Sequence, residues 1–440
     1  MGQLAPVQDN HDITALASSP LIADLVNQDL ATLDRHHFII FPPQLADSND
    51  LEKDHYIFKQ RNHQTWTCNV VGFLSDSTDE LQIQSRFLNS HPKQAYQSDY
   101  FLRYMMQKVL HYNIINHRVD SSKQLGYYDL LVWLFPHYLN DALAKGVYKE
   151  YLQHTYNDAH VKGPVDIARH LKQNLPFIGK IAYQTREFSY DNKMNQLIRH
   201  TIEKVKQQYA FVLDKHDQRL QKNIRTIEHY TSSYTPSAKN EILQSNILNP
   251  IRQSYYEAYA SLQQLCLQIL NDQKGGFGIH QNQAHGIVID VAWLWEEYIA
   301  RITNWQHYGR RKGLNVLYLF EHKHSPRYPD FIFQESSSQN LTIIDTKYKF
   351  SLDTRNDYNQ MTTYLHVQQA KRGGFLQPYN PNRKNNKNSE GYHLIGKLKG
   401  GGEIFTYGFL IPQGCDSYAA FVEQIQQSED RLLAQNFMNS

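Results

Sequence analysis

The sequence predicts an α+β protein built from an N-terminal β-rich module, a helical middle region and a C-terminal α/β core. Three observations predict it. Between residues 37 and 87, short aromatic and β-branched runs are punctuated by Pro, Asp, Asn and Ser, as strands and turns are. From 99 to 270, apolar residues recur at helical spacing among many charged ones. Between 329 and 350, P-D-F-I-F and L-T-I-I-D-T-K-Y-K-F flank a Ser/Gln/Asn cluster and lead into a helical stretch, the pattern of two antiparallel strands followed by a helix.

A chain of 440 residues exceeds what one core usually holds, and the composition shifts set its expected domains at 1–160, 161–274 and 275–440. The net charge of +2 gives no global attraction for a polyanion, so any nucleic-acid contact must come from local patches. Cys68, Cys266 and Cys415 are far apart, which supports neither a disulfide framework nor a cysteine zinc site and suits a reducing cytoplasm. The first residues have no basic start and no apolar segment, and runs such as Leu130 to Phe135 are too short to cross a bilayer. The expectation is a cytoplasmic protein with no membrane association.

Residues 1–30 read as a polar leader with a helical turn or two between Ile13 and Leu30. Strands follow in H-F-I-I-F-P, H-Y-I-F-K-Q, W-T-C-N-V-V-G-F-L-S and E-L-Q-I-Q-S-R-F, the last alternating Leu81, Ile83 and Ser85 with Gln82, Gln84 and Arg86. A helix starts at Asp99, and a second, Tyr127 to Leu143, is apolar nearly all round and therefore buried. Beyond the Gly163-Pro164 break, one long helix is expected from Asn192 to about Tyr230 and another over Ile251 to Leu270. The charge here reads as a solvated helix face, so Arg169, Lys172 and Arg186 are not assigned to phosphate. The Gly-, Asn- and Gln-rich stretch 272–286 marks a boundary. After it comes a short extended piece, I-V-I-D, whose Asp290 caps a helix from Val291 to about Trp305 with Glu296 and Glu297 flanking its apolar stripe. A strand at 404–412 and a helix at 418–436 close the chain.

The chemistry concentrates in the predicted hairpin. Asp345 and Lys347 share one strand face, and the loop length brings Asp330 opposite them. Both acids adjoin apolar runs, and buried Asp, Asp and Lys side by side are costly unless something charged binds there; hard oxygen ligands suit Mg²⁺. Gln360 and Tyr364, at i and i+4, share a face of the following helix. His322 and His324 read as surface loop. G-Y-H-L-I-G-K-L at 391–398 has Walker A spacing, but Leu398 stands where a hydroxyl is needed, so no nucleotide site is assigned.

Asp330, fourteen intervening residues and then D-T-K resemble the PD-(D/E)xK nuclease superfamily, with its restriction-endonuclease-like core, and the Q-x-x-x-Y of Gln360 and Tyr364 resembles its RecB-type members. A wider likeness is to the McrC family, the nuclease subunit of McrBC-type 5-methylcytosine-specific restriction systems. L-W-E-E-Y-I-A-R, R-Y-P-D-F-I-F, I-I-D-T-K-Y-K and Y-N-Q-M-T-T-Y carry it, with K-G-P-V-D-I-A-R-H, R-E-F-S-Y-D-N-K-M-N-Q-L-I and V-G-F-L-S before them. It extends from about residue 65 onward; the segment up to about residue 60 aligns with nothing in the family. D-T-K stands where D-A-K is usual, a change confined to a side chain on the other strand face.

The resemblance implies a metal-dependent endodeoxyribonuclease using Mg²⁺, with Mn²⁺ able to substitute. Asp330, Asp345 and Lys347 would be catalytic. Asp330, Asp345, the Thr346 carbonyl and Glu296 would hold metal, with Gln360 and Tyr364 in support. The family's L-F-E-type motif falls on Glu296 in preference to Glu297. Implied partners are double-stranded DNA and a hexameric McrB-like AAA+ GTPase that binds the GTP and recognises modified DNA; this chain would dock through its N-terminal region, stimulate hydrolysis and cut. Two rivals are a stand-alone RecB-like repair nuclease, which leaves the residues before 275 unexplained, and a non-cleaving activator of the AAA+ partner, which has no need of the acids and lysine.

Overall fold

The computed structural model describes every residue except 1, 31, 34–36, 43–55, 90–98, 111–126, 272–283, 306, 308–316, 335–339, 384–388 and 436–440. Two compact units emerge, one of residues 1–127 with 280–440 and the other of residues 128–279. The strand His285–Asp290 explains why the first is discontinuous. Every position in it is buried, so it needs neighbours on both edges. It pairs antiparallel with Val70–Ser75 and parallel with Phe38–Phe41, while Asp79–Gln84 extends the sheet beyond Val70–Ser75. The short extended piece thus lies within the N-terminal sheet, and the units depart from the expected 1–160, 161–274 and 275–440 division. The expected boundary at 272–286 falls mostly outside the described residues. The run W-T-C-N-V-V-G-F-L-S makes two strands, Gln64–Thr67 and Val70–Ser75.

The second sheet of this unit carries the hairpin. Its order is Phe331–Gln334, Leu341–Thr346, Arg372–Tyr379, Glu403–Leu410 and Gly391–Lys397, the middle three parallel and both outer pairs antiparallel. Helix Asn356–Gln368 is the crossover after Leu341–Thr346, and Met361, Tyr364 and Leu365 pack with Ile343, Phe375 and Ile404. On the other face, Trp295 and Tyr298 of helix Val291–Thr303 meet Phe409 at 5.6 and 6.0 Å. Phe101 of helix Tyr100–Leu110 meets Trp295 at 6.0 Å. The Walker-like stretch is an extended edge strand, Gly391–Lys397, where a phosphate loop would have to turn into a helix.

The second unit contains the buried helix Tyr127–Leu143 from Tyr128 onward, with Leu130 to Phe135 wholly inside. Glu150–Asp158 and Ile181–Ser189 pair as an antiparallel hairpin, the second strand lying in the 161–274 region expected to be helical. Arg169, on helix Ile167–Gln173, donates to the carbonyls of Tyr156 and Tyr183 and ties that helix to the hairpin. The long helix from Asn192 is two helices, Lys193–Gln208 and Gln218–Tyr230. Val212 and Leu213 are buried in the turn between them, and Asp217 starts the second by accepting from Leu220 N–H at 2.9 Å. Cys68, Cys266 and Cys415 are buried and form no disulfide. Among the described residues, no helix is long and apolar enough to cross a membrane.

Gly72 faces Val288 in the register of the N-terminal sheet. A Cβ there would lie 1.9 Å from the Ile287 carbonyl oxygen, at φ +154°. Since the obstacle is backbone, Gly72→Ala is expected to destabilise the first unit by more than about 2 kcal/mol, read as a lowered midpoint in chemical denaturation.

Candidate active site

Strand register builds the site. Phe331 pairs with Ile344, and one step further sets Asp330 across from Asp345. Asp330 and Asp345 are 8% and 3% exposed, so neither carboxylate can rely on water. Thr346 supplies the first compensation: its N–H and its hydroxyl donate to Asp330 Oδ2 at 2.6 and 2.7 Å. That fixes the carboxylate and leaves Oδ1 directed at His307, whose Nε2 is 4.0 Å away.

Lys347 supplies the second. Its Nζ lies 2.5 Å from Asp345 Oδ2 and donates to Gln360 Oε1 at 2.7 Å. Gln360 Nε2 donates to the Tyr364 hydroxyl at 2.9 Å, which donates to the Tyr328 carbonyl at 3.3 Å. The i, i+4 pair on helix Asn356–Gln368 is therefore a relay that holds the ammonium. Burial pushes the Asp345 carboxyl up to about 7; Lys347 opposes the shift, and Asp330 and Glu296 add to it. Burial works against charge on Lys347 as well, but Asp345 and then Asp330 outweigh it and hold that pKa above the ordinary lysine value.

The N-terminal sheet braces the same strand end. Arg86 donates to the Tyr348 carbonyl at 3.1 Å and to Asp9 Oδ2 from Nε at 2.7 Å, and Ser85 Oγ lies 2.9 Å from the Tyr348 hydroxyl. The backbone N–H of Lys347 itself donates to the Leu376 carbonyl at 2.9 Å.

Helix Val291–Thr303 starts at Asp290, which accepts from Trp293 N–H at 2.9 Å, and brings Glu296, 5% exposed, to the acids. Glu297 is half-buried and stands outside the group they form. The helix ends at Asn304 in the left-handed region. Trp305 then packs edge-on against Phe331 and Phe333 at 5.4 and 4.6 Å, which folds the chain back over the hairpin. Two residues on, His307 places Nε2 3.7 Å from Glu296 Oε2. Glu296, His307 and Asp330 each offer a ligand atom, all within 4.8 Å of one another. His307 is the residue that sequence reasoning missed; the only cue is W-Q-H directly after the helix. His322 and His324 are exposed.

Both ring nitrogens of His307 are buried and have no hydrogen-bond partner among the described residues. Two carboxylates beside an unsatisfied imidazole fit a divalent cation, which would replace mutual repulsion by shared coordination.

Residues 66–377 match the family model described as McrBC 5-methylcytosine restriction system component. Among solved structures, the chain is similar to a refined half-complex from a tetradecameric assembly of Thermococcus gammatolerans McrB AAA+ hexamers with bound McrC. Identity there is 12%, over 98% of this chain and 100% of that one, with a TM-score of 0.45. It is also similar to the cryo-EM structure of the Thermococcus gammatolerans McrBC complex, at 13% identity over 83% of this chain and 97% of that one, with a TM-score of 0.28. No curated protein matches.

A nitrogen donor beside two carboxylates favours Mn²⁺ over Mg²⁺. Calorimetric titration of the full chain is expected to show tighter Mn²⁺ than Mg²⁺ binding, and His307→Ala is expected to weaken Mn²⁺ by about 10-fold while affecting Mg²⁺ less.

Proposed function

The chain belongs to the family of McrBC 5-methylcytosine restriction system components, and from that premise we propose that it is the metal-dependent DNA endonuclease subunit of such a system. One observation carries the reading: Asp330, Asp345, Lys347 and Gln360 converge at the end of one strand pair, with Glu296 and His307 brought up beside Asp330.

Glu296, His307 and Asp330 would hold a divalent cation, Mg²⁺ or Mn²⁺, with Asp345 and the Thr346 carbonyl beside them. Such an ion supplies polarisation of a phosphate oxygen and of a water. The chain's own residues do the positioning. Lys347, fixed between Asp345 and Gln360, presents an ammonium to the attacking water and to the charge that develops on the phosphate. Gln360 and Tyr364 keep it aimed, and Thr346 keeps Asp330 in one orientation. No histidine base would be required, since a bound cation would polarise the water and His307 would be engaged as a ligand.

Family membership supports assembly on a McrB-like AAA+ partner that binds and hydrolyses GTP, this chain binding no nucleotide itself. A surface for a partner is at hand in the second unit. Tyr151 and Phe188 stack on one another across the hairpin while 57% and 52% exposed, and Ile167, Leu175, Phe177 and Ile178 are each more than 60% exposed. Exposed apolar side chains of this kind suit contact with another protein. Part of it lies in the 1–160 segment to which docking was assigned, and the rest continues to residue 188.

Cleavage of methylated plasmid with Mg²⁺, by this chain with its AAA+ partner and GTP, tests the reading. Asp345→Ala and Lys347→Ala are expected to abolish cutting while leaving stimulation of the partner's GTPase intact. Cutting without partner or GTP would mean a stand-alone nuclease, and cutting retained by both variants would reject the site.

A further inference from the structure

Helix Gln218–Tyr230 in the second unit has two faces with different fates. Leu220, Ile224 and Ile227 are buried. On the opposite side Gln218, Lys222, Arg225 and His229 follow one another at three- and four-residue steps, all exposed, and Lys215 precedes them in the turn. These side chains line an open groove of ≈ 780 Å³. Gln221 Nε2 donates to the Asp214 carbonyl at 3.1 Å, which holds the turn bearing Lys215 against the helix.

The usual account of such a face is solvation, with charges neutralised by neighbours. Some cations of this unit follow that account: Lys193 pairs with Glu241, Arg199 with Glu203, and Lys206 with Glu228. Along the groove it fails. Among the described residues, Lys215, Lys222 and Arg225 have no ion pair and no carboxylate lines the groove. The nearby acids are directed elsewhere: Asp214 accepts from the His216 N–H, and Asp217 caps the helix. Three uncompensated cations side by side repel one another, and a bound anion relieves that.

We propose that this face is a landing surface for the phosphodiester backbone of duplex DNA, independent of base sequence. The proposal rests on the reading that the chain acts on DNA and adds where the backbone is held outside the cutting site. Lys222 to His229 spans about 10 Å of helix axis, the rise over which one DNA strand presents roughly three phosphates. The groove is open, as a linear polyanion requires, and its donors are of the kinds that contact phosphate oxygens.

The test is fluorescence anisotropy of a labelled, unmethylated duplex with the full chain in EDTA, over a salt series. Lys215→Ala/Lys222→Ala/Arg225→Ala is expected to weaken binding at least about 10-fold at low salt and to reduce the slope of log K against log[salt] by about 2.7. Lys215→Arg/Lys222→Arg/Arg225→Lys, which keeps the charges, is expected to restore both. An unchanged slope and affinity in the triple alanine variant would overturn the proposal, as would failure of the unsubstituted chain to bind duplex. If the triple variant instead lost only stimulation of the AAA+ partner, the face would belong to an acidic protein surface and the DNA assignment would fall. Plasmid cleavage by the same preparations separates the two readings: cutting with an unchanged slope removes the groove alone, and absence of cutting with intact, groove-dependent binding removes the nuclease alone.

Discussion

Three carboxylates drawn together out of water are the constraint on which the site depends. Asp330, Asp345 and Glu296 are each under a tenth exposed, and a buried carboxylate without a partner is destabilising by several kcal/mol. Each has a different answer. Asp330 takes two donors from Thr346, Asp345 takes the ammonium of Lys347, and Glu296 sits with the imidazole of His307. The carboxylates and their partners come from the two strands of the hairpin, the helix before it and the chain returning from that helix, and Gln360 of the helix after it holds Lys347. The sheet, both helices and the returning chain at Trp305 are fixed relative to one another by the need to meet at this point. Arg86 and Ser85 extend the requirement to the N-terminal sheet, since they hold Tyr348, the neighbour of Lys347.

Much of this was legible from residue order, for a physical reason. The hairpin, the D-T-K strand end and the Gln360/Tyr364 pair are local, and strand alternation and helical spacing report local geometry directly. Helix Val291–Thr303 was legible through its cap at Asp290. Choosing Glu296 over Glu297 needed the family motif, because both border the apolar stripe. His307 was out of reach: it meets Asp330 only because Trp305 folds the chain back onto Phe331 and Phe333, and no periodicity encodes a return of that kind.

The fold misled in two places. Ile181–Ser189 lies in the region read as helical, and its burial, confined to Ala182 and Tyr183, follows no alternation that would mark a strand. In the turn after Gln208, Val212 and Leu213 continue the apolar count of a helix while being buried in a bend. Asp217, a good cap, was the available sign that a new helix begins. The middle of the chain is therefore less uniform than its composition suggests, with a ribbon that presents apolar side chains outward and a bundle that presents cations.

The strand His285–Asp290 also sets the order in which the molecule can be completed. Val288 lies against Gly72, with the whole second unit encoded between them. During synthesis, Val70–Ser75 and Phe38–Phe41 must wait with open edges until that strand leaves the ribosome. Asp330, Asp345 and Lys347 are translated later still. A nascent chain stalled after the second unit would carry the basic face and the apolar ribbon but none of Asp330, Asp345 and Lys347, so any chemistry at that site would wait for the finished fold.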